Sequence, residues 1–138
     1  MAEFIMKKMV KDAGLEDEFE IASAATSAEE IGNDMYPPAK ETLRKHGVPF
    51  TKRAARQITE DDLERYDHIF IMDRNNQRWL DRMFGADSKI RLLMTLTGDD
   101  RDVADPWYTG DFETTYDDIS TALARIVGPA ATKNPKRP

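Results

Sequence analysis

An α/β fold, a parallel sheet flanked by helices, is predicted by three features of the sequence. The run Ile69-Phe70-Ile71-Met72 is continuously apolar, as in a strand buried on both faces. Strand-like runs alternate with segments of helical period along the chain. Several helical segments carry their own start and stop residues. Strands alternating with helices imply βαβ units and hence a parallel sheet.

Taken in order, Ala2, Met6, Met9, Val10 and Ala13 recur at helical spacing, and Gly14 is placed to stop that helix. No N-cap residue precedes it, so the chain is expected to begin partway into an element. Phe19 and Ile21 alternate over residues 19–22, the pattern of a short strand. Residues 23–33 are small and polar and read as a loop. Pro37-Pro38 suits a helix start, with Ala39, Leu43 and His46 on one face and Gly47 at the end. Thr59-Glu60-Asp61-Asp62 resembles a capping box. Asp73 is placed to cap a helix burying Trp79, Leu80, Met83 and Phe84. Residues 90–94 read as a third strand and residues 99–110 as a long acidic loop. Asp111 caps a last helix carrying Phe112, Tyr116, Ile119, Leu123 and Ile126, which Gly128-Pro129 stops. Ligands gather at the carboxyl ends of strands in such sheets. Ser23, Asp73 and the loop after Met94 all fall there.

A chain of 138 residues, 40% hydrophobic and 33% charged, fits one soluble domain. Residues 1–128 are expected to form it, with 129–138 a disordered tail bearing Lys133, Lys136 and Arg137. A net charge of −6 argues against nucleic acid as a partner. No apolar run approaches the ~20 residues that span a membrane, and no signal-peptide pattern opens the chain. A cytoplasmic location is the expectation. Zero cysteines remove disulfides, thiolate metal sites and thiol nucleophiles from these residues. Asp99, Asp100 and Asp102 lack the ligand spacing and fixed glycine of a calcium loop, so they read as a solvated acidic stretch. No metal site and no cofactor are expected.

From Ser23 onward, several blocks in fixed order carry a resemblance. They are Ser23-Ala24-Ala25-Thr26-Ser27 with Ile31-Gly32-Asn33; His46-Gly47; Ala55-Arg56-Gln57-Ile58-Thr59; Met72-Asp73 with Asn76; and Asp105-Pro106-Trp107-Tyr108 with Gly110, Asp111-Phe112-Glu113 and Tyr116. Together they resemble the low-molecular-weight protein tyrosine phosphatase family over residues 1–127. The resemblance implies the phosphotyrosine protein phosphatase I-like fold and hydrolysis of phosphotyrosine proteins or aryl phosphates through a cysteinyl-phosphate intermediate. It also implies a central first strand and a Cys-x5-Arg loop ahead of the helix that begins near Met1-Ala2-Glu3. Neither is among these residues, so the chain is expected to be truncated there and catalytically inactive. The open sheet edges that result favour a strand-swapped homodimer. The alternative is a non-catalytic pseudophosphatase that binds phosphotyrosine or a protein partner.

Carried over residue by residue, the resemblance makes Asp105 the general acid, with Pro106 stiffening its loop. Trp107 and Tyr108 would wall the substrate cleft. Ser23 and Asp73 would hydrogen-bond the catalytic loop from behind. Each has a plainer reading: a turn aspartate before proline, packed aromatics, a loop serine and a helix N-cap. Arg56 and Gln57 are assigned structural roles. Glu29 stands where the family usually has a cleft aromatic, Arg53 where many members have a histidine, and Tyr36-Pro37-Pro38 lacks the usual acidic residue. These departures leave substrate preference open.

Overall fold

The structure, a computed structural model, describes residues 1–26, 34–52 and 54–128. The expectations for Ser27, Glu29, Ile31-Gly32-Asn33, Arg53 and the 129–138 tail lie outside the described residues.

Among the described residues, six α-helices and two strands follow in the order α1 (Ala2–Asp12), α2 (Pro37–Lys45), α3 (Glu60–Arg65), β1 (Ile69–Ile71), α4 (Arg74–Phe84), β2 (Ile90–Leu92), α5 (Pro106–Thr109) and α6 (Phe112–Val127). Short 3-10 turns lie at Glu16–Glu18 and Leu93–Thr97. The chain is thus α/β, with β1 and β2 parallel and Ile69, Phe70 and Ile71 opposite Ile90, Arg91 and Leu92. Ile69 and Ile71 turn to a cluster with Ile58, Leu80, Ile90 and Leu92, under α3 and α4. Phe70 packs against a second cluster, built from Phe4 and Ile5 of α1, Leu43 of α2, Leu93, Met94 and Val103, and Ile119 and Leu123 of α6. The period-two alternation of a strand therefore feeds two cores from three residues. Among the described residues, no helix is long and apolar enough to cross a membrane.

Local signals set the helix ends. Gly14 and Gly47 take positive φ, +72° and +68°, just past α1 and α2, as left-handed caps require. Thr59 and Asp62 close the capping box of α3.

Three expectations are corrected. Residues 19–22 form no strand. Phe19 has extended backbone, but among the described residues the segment has no ladder partner, and alternation alone cannot supply one. The chain's nearest approach to a third strand is the parallel bridge of Ala25 with Gln57. The strand expected at 90–94 stops at Leu92, and Leu93 and Met94 are buried in the following turn instead. On α4 only Leu80 is fully buried, while Trp79 and Met83 are 39% and 36% exposed. At 100° per residue the buried stripe follows Leu80 and Phe84, leaving Trp79 on its shoulder with the Arg82 guanidinium 5.5 Å over its ring.

Leu80→Ala is accordingly expected to cost ~2–5 kcal/mol, and Trp79→Ala less despite the larger side chain. Equal costs in urea denaturation would put Trp79 in the core.

Candidate active site

The carboxyl end of β1 gathers the chemistry. Past Ile71, where β1 ends, the chain reaches Met72 and then Asp73, whose side chain caps the start of α4. Asp73 Oδ1 accepts from Asn76 N at 2.8 Å, and Asn76 Oδ1 accepts from Met72 N at 3.2 Å and Asp73 N at 3.4 Å. The N-cap reading of Asp73 is therefore correct, and it fixes the turn at the strand end.

The segment leading to Asp105 docks against that turn. Val103 N donates to the Met72 carbonyl at 2.7 Å, and Val103 is buried in the core under α6. Arg74, the first residue of α4, donates its backbone N–H to Asp102 Oδ1 at 3.1 Å and its guanidinium to Asp100 Oδ1 at 2.8 Å. Arg101 pairs with Asp118 on α6 through two bonds, 3.0 and 2.9 Å, and with Asp99 at 2.8 Å. The Asp118 hydrogen bond, then that of Asp99, raises the Arg101 pKa above its ordinary value. The buried Thr115 hydroxyl donates to the Ala104 carbonyl at 3.1 Å. The acidic stretch is exposed, as expected, but it is not simply solvated: Asp99, Asp100 and Asp102 are all paired to arginine.

Asp105 then heads the single turn α5, with Pro106 in its first position, where proline suits a helix. Its carbonyl accepts from Tyr108 N at 3.1 Å and Thr109 N at 3.2 Å. The Asp105 residue is exposed. Tyr108 is 85% exposed. Trp107 has its backbone in α5, and its side chain lies outside the described residues. Gly110, at φ +73°, reverses the chain into Asp111, which accepts from Thr114 N at 3.0 Å and Thr114 Oγ1 at 2.7 Å. Those two bonds, the hydroxyl's first, hold the Asp111 carboxyl below its usual range.

Ser23 is anchored elsewhere. Its hydroxyl donates to Glu3 Oε1 at 2.7 Å, in the first turn of α1, where a carboxylate also suits the helix dipole. Two residues on, Ala25 N donates to the Arg56 carbonyl at 2.7 Å and the Ala25 carbonyl accepts from Ile58 N at 2.8 Å. Arg56 in turn grips Asp62 at 2.9 and 3.1 Å. The structural role expected of Arg56 is thus observed.

The geometry brings Asp73 and Asp105 to one strand end and ties Ser23 to the start of α1. Sequence reasoning gave no role to Glu3 or Arg74 and read Asp102 as solvated. An acidic residue in a first helical turn is a readable signal; a pair 28 residues apart, such as Arg74 with Asp102, is not. Among the described residues, no group of three or more acidic, histidine or cysteine side chains is placed to hold a metal ion. What the arrangement offers is an exposed aspartate at the head of a proline-started turn, with the exposed Tyr108 three residues on. That suits proton transfer to an aromatic leaving group.

A family model described as low molecular weight phosphotyrosine protein phosphatase matches residues 1–136. The chain is 35% identical over 131 residues to the low molecular weight protein-tyrosine-phosphatase YfkJ of Bacillus subtilis, covering 92% of this chain and 84% of that one. It is 35% identical over 123 residues to the human low molecular weight phosphotyrosine protein phosphatase, covering 84% and 77%. The crystal structure of YfkJ superposes with a TM-score of 0.86 over 91% of this chain and 82% of that chain, at 35% identity. That of SP-PTP from Streptococcus pyogenes, a low molecular weight protein tyrosine phosphatase, gives 0.80 over 91% and 80%, at 34% identity.

The Arg56 hydrogen bond, foremost among several effects, lowers the Asp62 pKa below its ordinary value. A carboxyl depressed on folding stabilises the fold above its unfolded pKa of about 3.9 and loses that contribution as pH falls through the lower folded value. Thermal melts from about pH 6 to 3 should therefore fall more steeply for the natural chain than for Asp62→Asn. Parallel curves would mean that the pair contributes nothing to folding.

Proposed function

We propose, because the chain belongs to the low molecular weight phosphotyrosine protein phosphatase family, that these 138 residues form the acid-bearing part of a phosphotyrosine or aryl phosphate monoesterase. The observation that carries this is the placement of Asp105: an exposed residue at the head of a proline-started turn, held to the carboxyl end of β1 through Val103 and Met72. When a nucleophile attacks phosphorus, charge builds on the leaving phenolic oxygen. Asp105 gives that oxygen its proton, and the resulting carboxylate then takes a proton from the water that clears the phosphoenzyme. Trp107 and the exposed Tyr108, two and three residues on, are assigned to the aromatic ring of the substrate. Asp73 holds the start of α4, and Ser23 holds the start of α1 through Glu3.

The nucleophile is not among these residues. A cysteinyl-phosphate step needs a thiolate, and the sequence contains no cysteine. By themselves the 138 residues are inactive. In this reading a further strand and a Cys-x5-Arg loop complete the site, the strand lying between residues 19–22 and β1. Two features support that position. The segment 19–22, extended at Phe19, has no ladder partner, and β1 pairs with no strand other than β2, among the described residues. The same open edge would accept a strand from a second copy, which sedimentation of the chain would reveal as a dimer.

Aryl phosphate hydrolysis tests the proposal. The 138-residue chain is expected to show no turnover at any pH. Turnover that survives purification and disappears on Asp105→Asn would overturn the assignment. Joined to the family's strand and loop, the chain should be active, and Asp105→Asn should then lower kcat roughly 10²–10⁴-fold.

A further inference from the structure

Four consecutive residues, 102 to 105, are each held by a separate anchor. Val103 bonds to Met72, Ala104 to Thr115, and the Asp105 carbonyl to its own one-turn helix. Asp102 is held by polar contacts of its side chain. Its Oδ1 accepts the Arg74 backbone N–H at 3.1 Å and lies 3.5 Å from Arg74 Nη1. Arg74 is the first residue of α4, so this N–H is one of the donors that a helix cannot pair internally. Asp73 already serves Asn76 at the same helix end. Asp102 brings a second carboxylate, from a distant part of the chain, to the positive pole of the helix dipole. Arg74 also reaches Asp100, at 2.8 Å from the side chain and 3.4 Å from the carbonyl. One arginine therefore clamps two of the three aspartates in the segment that precedes Asp105.

We propose that Asp102 is a positioning residue for Asp105, docking the acid-bearing segment on the N-terminus of α4 with Arg74 as its clamp. The inference rests on reading Asp105 as the proton donor. It follows from the contact's chemistry that the placement responds to ionic strength. The Asp102 side chain is 44% exposed and that of Arg74 50%, so salt screens their attraction. The Val103 bond to the strand, which is backbone to backbone, does not depend on charge. High salt thus loosens the approach to Asp105 without undocking it.

Amide hydrogen exchange on the 138-residue chain tests the docking. Asp102→Ala should speed exchange at Val103, Tyr108 and Thr109 about tenfold, the lower end for a hydrogen bond to a charged group. Leu43, Ala122 and Leu123, deep in the core, should not change. Asp102→Asn keeps an acceptor for the Arg74 N–H and should show a smaller effect. No change at 103–109, or a uniform increase along the chain, overturns the docking. The link to Asp105 is read in the chain joined to a Cys-x5-Arg loop. There Asp102→Ala should lower kcat for phenyl phosphate, whose leaving group needs a proton, more than for dinitrophenyl phosphate, with KM little changed. Equal slowing of the two esters overturns the positioning role. Failure of Asp105→Asn itself to discriminate between them overturns the acid reading and the positioning role with it, while the exchange data still report whether the docking exists.

Discussion

The candidate site depends on the hydrogen bond from the Val103 N–H to the Met72 carbonyl. Strand β1 ends at Ile71, so the next carbonyl lies beyond the ladder with β2. A polar group left unpaired in such a place costs about 1–3 kcal/mol. Val103 removes that cost and is itself secured a second way, by a side chain buried in the main core. Its backbone is referenced to the sheet and its side chain to the helices. Two residues further on stands Asp105, and over so short a span little freedom remains. A catalytic acid on a long loop needs this kind of double reference, because a misplacement of about 1 Å can cost 10²-fold in rate.

The same logic explains how three-residue strands can organise a domain. Phe70 faces the core of α1, α2 and α6, while Ile69 and Ile71 face the core of α3 and α4. Each face is sealed by a different helix layer, so neither strand can slip by one residue without exposing apolar side chains on one face and crowding the other. Register is thus set by burial on both sides rather than by the length of the ladder. Met72 and Asp73 inherit that register, and through them the acid segment does too.

Features written in neighbouring residues were legible in the sequence. The Thr59–Asp62 box, the Asp73–Asn76 and Asp111–Thr114 caps, and the glycines after α1 and α2 all involve partners within four positions. Features that depend on distant partners were not. Residues 19–22 have a strand's alternation but no ladder, because pairing is a property of two segments. Trp79 and Met83 looked like core by type, yet the stripe defined by Leu80 passes beside them. Asp102 read as a solvated acid because Arg74 lies 28 residues away. Asp105 is a different case. Nothing in its composition or spacing separates it from an ordinary turn aspartate, and only the ordered blocks shared with a family single it out.

The hydrogen-bond anchors described for residues 101–104 are Met72, Arg74, Thr115 and Asp118, none of them on α1. The start of α1 is held instead by Ser23 through Glu3, and Ala25 by the stretch from Arg56 to Ile58. The site is therefore built from two separately braced parts. They meet where Phe4 and Ile5 of α1 share a core with Ile119 and Leu123 of α6. That contact is apolar and close-packed, and such interfaces resist small displacements because any shift opens a void or forces an overlap. The distance from Asp105 to the start of α1 is thus set by packing between two helices. The polar contacts on either side fix each part internally, and the apolar contact between them fixes their spacing.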